Sequence, residues 1–90
     1  MWIPVTPRED AAIVNLGTEL ERWSNGRFPA TLHAVVMESA RERLSLPFFY
    51  ETNLAAAIEP ILAEGETPRY QPSTPAANLL ASALQQRRIV

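Results

Sequence analysis

Cysteine is absent from this chain of 90 residues, which excludes disulfides and thiolate metal sites outright. Lysine is absent too: every one of the 8 basic residues is arginine, whose planar fork suits bidentate carboxylate binding better than an ammonium does. A single histidine, His33, is the only imidazole available to any mechanism, and one imidazole cannot build a metal site alone. A strong excess of charge of either sign is also lacking. With 8 basic and 10 acidic residues the net charge is −2, which gives no electrostatic attraction for nucleic acid or anionic lipid. No uncharged run approaches the roughly 20 apolar residues of a membrane span, and MWIPVTPRED lacks the basic flank and apolar stretch of a secretory leader. The sequence therefore points to a cytoplasmic setting, with neither membrane nor nucleic acid as partner.

What is present is ordinary for a globular chain. The hydrophobic share is 47% and the mean hydropathy −0.09, values that argue against a disordered polyelectrolyte. The length allows one small domain at most, and such a domain hides only about 60–65% of its unfolded surface.

Along the chain, Trp2 to Val5 reads as a short extended piece, confined by Pro4 and Pro7 to an edge or to the start of a sheet. Ala11-Ala12-Ile13-Val14-Asn15-Leu16 is a compact apolar strand stopped by Gly17. Thr18 is placed to cap a short helix, Glu19-Leu20-Glu21-Arg22-Trp23, which Asn25-Gly26 ends or turns. Residues 31–37 and 43–50, rich in Val, Leu, Phe and Tyr, read as strands separated by the polar loop 38–42. Residues 54–62 are ambiguous: the alanines favour helix, whereas Ile58 and Pro60 suit a final interrupted strand, the reading we prefer. Gly65, Pro68 and Pro72 make 65–73 an extended connector across the surface. Thr74-Pro75 then supplies an N-cap with proline at the first helical position. Leu79, Leu80 and Leu84 give the terminal helix over 74–90 one apolar stripe, running to Arg87-Arg88.

Side chains alternate across a strand, so His33 shares a face with Thr31 and Val35, and Arg43 shares one with Ser45. In a hairpin of the two runs, or in strands crossing between facing sheets, imidazole, guanidinium and hydroxyl converge. An arginine and a serine two positions apart form a natural grip for a carboxylate: two parallel hydrogen bonds from the fork, a third from the hydroxyl. The residues alone favour the plainer readings, Arg43 paired with Glu42 or Glu51 on a solvated surface and His33 as a hydrogen-bonded interior histidine. Trp23, Asn25 and Gly26 read as structural, a packing face and a tight turn.

Taken in order, Trp2-Ile3-Pro4-Val5, Val14-Asn15-Leu16-Gly17, Glu21-Arg22-Trp23-Ser24-Asn25-Gly26-Arg27-Phe28, Thr31-Leu32-His33 and Arg43-Leu44-Ser45-Leu46-Pro47-Phe48-Phe49-Tyr50 form one combination. It resembles the C-terminal part of isopenicillin N synthase-like iron(II)/2-oxoglutarate-dependent dioxygenases, and the resemblance continues through Ile58-Glu59-Pro60 and Arg69-Tyr70-Gln71-Pro72 to the terminal helix. It implies a mainly β fold, part of a double-stranded β-helix or jelly roll, over 1–64, followed by the connector and the helix. By the same resemblance His33 matches the distal histidine of a two-His, one-carboxylate iron(II) triad. Arg43 and Ser45 match the pair that binds the distal carboxylate of 2-oxoglutarate. The implied activity is oxidation of a small organic substrate coupled to decarboxylation of that co-substrate.

The departures are as informative. The family's other two ligands come from a His-x-Asp motif on an earlier strand, and this chain has no second histidine. Position 34 is Ala where the family usually has Arg, and position 18 is Thr where Asp is usual. The chain thus reads as a segment beginning inside a catalytic domain, dependent on a missing N-terminal half and inactive alone. A non-catalytic remnant or interaction module is the alternative.

Overall fold

The structure is a computed structural model that describes residues 1–37 and 39–87. Two helices are present, α1 (Thr18–Trp23) and α2 (Pro75–Arg87); Arg88, the last basic residue of the expected helix 74–90, lies outside the described residues.

Helix α1 forms where acidic Glu19 and Glu21 occupy the first turn and Arg22 the last, each complementing the helix dipole. The expected cap is corrected by one residue. Gly17, in extended conformation, is the N-cap, while Thr18 is already helical and its hydroxyl caps nothing. The other end is a Schellman closure: Gly26 N–H donates to Glu21 O at 2.8 Å and Asn25 N–H to Arg22 O at 3.1 Å. Asn25 takes the left-handed conformation that this closure requires, at φ 55, and Gly26 follows at φ 83. The turn read from Asn25-Gly26 is therefore the C-terminal closure of α1.

Helix α2 begins as its sequence dictates. Thr74 Oγ1 accepts from Ala77 N–H at 3.2 Å, and Pro75 occupies the first helical position, where its missing N–H costs nothing.

Between the helices the described chain is irregular, with turns at 24–26, 54–55 and 64–65. Residues 11–16, 31–37 and 43–50, expected as strands, have no ladder partner among the described residues. The only β pairing there is the antiparallel bridge of Ile58 with Ser73, closed by bonds of 2.8 and 3.1 Å. The run 54–62 is thus one bridge residue within irregular chain, and residues 65–73 form a strap that touches it at Ser73.

Ile58, 2% exposed, is the one buried large hydrophobic side chain among the described residues. The radius of gyration is 16.4 Å, against about 12 Å for a compact domain of this length. The accessible surface is 8889 Å², against about 5,200 Å² for a compact monomer of this mass. The long-range side-chain hydrogen bonds gather around α1 and the turn that ends it. The apolar residues of 31–50, Phe48 and Tyr50 among them, stay exposed.

Candidate functional site

His33 lies in a segment without regular secondary structure, tethered at its root to the α1 region. Thr31 N–H donates to Leu16 O at 2.9 Å, and the preceding Ala30 N–H donates to a carboxylate oxygen of Glu21. The imidazole is exposed, with Nδ1 2.8 Å from Thr31 O. A carbonyl oxygen can only accept, so this contact calls for a proton on Nδ1. A metal-ligating histidine is commonly held in this way, through its other ring nitrogen, by a backbone carbonyl.

Arg43 and Ser45 stand in an exposed run further along, also without regular secondary structure. Among the described residues the one salt bridge is Arg27–Glu66, so Arg43 pairs with neither Glu42 nor Glu51. Ser45 and Leu44 line a hollow of about 580 Å³ against Val5, Arg8, Ala12 and Ile13. Neither His33 nor Arg43 lines that hollow. With 31–37 and 43–50 unpaired, no register sets the odd positions of one opposite those of the other.

The described residues include no group of three or more His, Cys, Asp or Glu side chains able to hold a metal ion together. They fit an iron(II) site as the source of one ligand, His33, and not as a complete donor set.

A second polar constellation was not legible in the sequence. Asn25, 2% exposed, is buried beneath the strap. Its Nδ2 donates to Glu66 Oε1 at 2.6 Å and to Thr67 O at 3.1 Å, while its Oδ1 accepts from Arg69 N–H at 2.7 Å. Glu66 also accepts from Arg27 at 2.6 Å and from Ala63 N–H at 2.8 Å. The Asn25 amide, then the Ala63 N–H and Arg27, hold the Glu66 carboxyl below its ordinary range. On the neighbouring turn Glu21 Oε1 accepts from the Tyr70 hydroxyl at 2.8 Å. The Ala30 N–H above all, with Tyr70 and Arg22, keeps Glu21 ionised to lower pH, and Glu21 in turn pushes the Tyr70 phenol up. Arg22 lies 5.5 Å over the Tyr70 ring. Asn25 and Gly26 thus have the structural role read for them, with partners that local patterns cannot reveal.

Comparison with known proteins gives these residues a family. The profile of the 2OG-Fe(II) oxygenase superfamily matches residues 1–52, a span holding His33, Arg43 and Ser45. A homoarginine-6-hydroxylase, 2-ODD-233, of Oryza sativa subsp. japonica is 47% identical over 60 residues, covering 67% of this chain and 18% of that protein. The 2-oxoglutarate-Fe(II) type oxidoreductase hxnY of Emericella nidulans is 37% identical over 76 residues, 81% of this chain and 22% of its own length. A bi-functional coumaroyl CoA and feruloyl CoA ortho-hydroxylase, Diox4, of Ruta graveolens is 38% identical over 74 residues, 79% of this chain and 20% of its own. No solved structure matches. The chain belongs to the 2OG-Fe(II) oxygenase superfamily. Iron(II) and 2-oxoglutarate are the metal and co-substrate of that family, and the chain spans about a fifth of the length of the curated relatives it matches. No helix among the described residues is long and apolar enough to cross a membrane.

Proposed function

We propose that the chain is the C-terminal part of a jelly-roll oxygenase domain that oxidises a small organic molecule with 2-oxoglutarate as co-substrate. In this reading His33 gives one of the ligands to iron(II), and Arg43 with Ser45 holds the distal carboxylate of 2-oxoglutarate. The observation that carries it is the family match over residues 1–52, which holds His33 with its Nδ1 2.8 Å from Thr31 O. When bound, iron(II) supplies the redox chemistry. What this chain adds is orientation: one imidazole fixed in tautomer, and a guanidinium fork whose charge is offset only when an anion sits on it.

The runs 31–37 and 43–50 are proposed as strands of the double-stranded β-helix, completed by sheet edges from the rest of the domain. Their exposed apolar side chains and unpaired backbone call for such neighbours. The domain division follows: 1–64 within the jelly roll, 65–73 as connector, and the terminal helix from 74.

The test is a chimera of the rice relative in which its aligned 60-residue stretch is replaced by the stretch from this chain. The proposal predicts release of succinate from 2-oxoglutarate, dependent on Arg43. A second reading, a non-catalytic remnant or interaction module, draws on the incomplete donor set among the described residues. It predicts a folded chimera with no turnover.

A further inference from the structure

The position of His33 depends on groups far from it in sequence. Glu21, on α1, uses both carboxylate oxygens: Oε1 accepts from the Tyr70 hydroxyl of the strap at 2.8 Å, and Oε2 accepts from Ala30 N–H. The next amide, Thr31 N–H, is held by Leu16 O at 2.9 Å. Two consecutive peptide planes are therefore pinned to the α1 region immediately before the carbonyl, Thr31 O, that takes the His33 Nδ1 proton. Between the pinned planes and that carbonyl lies a short stretch of backbone at a single β-branched residue.

We infer that Glu21 is a positioning residue for His33: by bridging Tyr70 to the Ala30 amide it sets the Thr31 carbonyl that selects the Nδ1–H form of the imidazole and leaves Nε2 open. The inference rests on the proposed role of His33 as a ligand for its meaning, though not for its geometry. Without Glu21 the Ala30 amide turns to water and the Leu16 bond is left as the one pin before the Thr31 carbonyl, so that carbonyl loosens and the ring exchanges more freely between tautomers. Loss of the Tyr70 hydroxyl alone frees one oxygen of Glu21 and removes the strap from the relay, a smaller change of the same sign. Glu21→Gln can keep the Ala30 bond through its oxygen and reach the Tyr70 hydroxyl only by reversing that bond, with its amide donating, and it loses the charge that strengthens both.

The tautomer is directly readable from the two ring-nitrogen shifts of His33, the only histidine in the chain. The measurement is made at pH 8, on the full chain labelled with ¹⁵N. The wild type is expected to show Nδ1–H as the dominant form. Glu21→Ala should lower the ratio of Nδ1–H to Nε2–H at least threefold, and Glu21→Gln and Tyr70→Phe should fall between it and the wild type. The amide signals of Asn25 and Arg69 report whether α1 and the strap persist. If Glu21→Ala disrupts them, Tyr70→Phe alone decides, since it removes one hydroxyl and no packing. A wild-type ring without dominant Nδ1–H would overturn the inference, as would a ratio unchanged in Tyr70→Phe while the Ala30 amide signal shifts. Addition of Co²⁺ separates this from the ligand assignment. Paramagnetic shift of the His33 ring with unchanged tautomer ratios in the variants sinks the positioning role only; altered ratios with no response to Co²⁺ sink the ligand role only.

Discussion

Asn25 and Glu66, 41 positions apart in sequence, meet side chain to side chain at 2.6 Å. This hydrogen bond fastens the strap across the end of α1. Because Asn25 also serves Thr67 O and Arg69 N–H, one buried amide satisfies three strap groups at a position already committed to a left-handed turn.

Asn25→Ala should therefore release the strap locally. Loss of the buried hydrogen bonds, with a non-Gly, non-Asn residue forced to positive φ, costs about 2–3 kcal/mol. Hydrogen exchange at the Arg69 amide should accelerate by about 30- to 160-fold. An unchanged rate would mean that the strap is held by something other than Asn25.

Gly26→Ala and Gly65→Ala make a matched pair. Both glycines have positive φ, 83 and 75, so each substitution carries a backbone cost of about 1–2 kcal/mol. A Cβ at Gly26 would also meet the Arg69 guanidinium at 2.9 Å, whereas one at Gly65 meets nothing within 4 Å. The guanidinium is the mobile end of a long side chain and can swing aside. Hydrogen exchange at the strap amides should place the two costs within about 0.5 kcal/mol of each other, and a far larger loss at Gly26 would show that Arg69 is held rigidly over the turn.

The strap should be docked only within a window of pH. Glu21 and Glu66 both have carboxyls lowered from 4.5, so their contribution is complete above that value and is lost as pH falls through the lowered folded values. The Tyr70 phenol is raised from 10.0; its contribution is present below that pH and lost as pH rises through the raised value. The Asn25 side-chain amide signals should keep their docked shifts between these limits and move toward free-amide values beyond both. Glu66→Gln should weaken the acid limb, and Tyr70→Phe should abolish the alkaline one.

In isolation the chain should bind iron(II) weakly and fail to decarboxylate 2-oxoglutarate, because a single imidazole offers no chelate. Its apolar side chains at Leu44, Leu46, Phe48 and Tyr50, 87–97% exposed, should drive self-association. Sedimentation velocity should show species that grow with concentration. A monomer with a sharp cooperative melt would contradict this.

Local chemistry was legible where it is local. Thr74-Pro75 announced α2, and Asn25-Gly26 announced the end of α1, since capping and positive φ depend on a few adjacent residues. The cap of α1 was misplaced by one residue because glycine and threonine both serve as N-caps, and Gly17 rather than Thr18 takes the extended conformation. The prolines marked 65–73 as a connector, but nothing nearby in sequence could reveal that Glu66, Thr67 and Arg69 close on Asn25. The alternation in 31–37 and 43–50 describes a chain fit for a sheet, whereas a strand exists only with a partner. For that reason His33, Arg43 and Ser45 were legible as residue types at a telling spacing, while their convergence depends on pairing absent among the described residues.

The roles of His33, Arg43 and Ser45 are best separated in the chimera with the rice relative, by titrating iron(II) and 2-oxoglutarate independently against three variants. His33→Ala should lose iron binding itself. Arg43→Ala should retain iron while its 2-oxoglutarate requirement rises by about 30-fold to several thousand-fold, since removing a charge-assisted bidentate hydrogen-bond pair from a dry pocket costs about 2–5 kcal/mol. Ser45→Ala, which removes one neutral hydrogen bond of about 0.5–1.5 kcal/mol, should raise it only about 2- to 13-fold. A 2-oxoglutarate requirement left unchanged by Arg43→Ala, or iron bound as tightly by His33→Ala as by the parent chimera, would contradict the assignment.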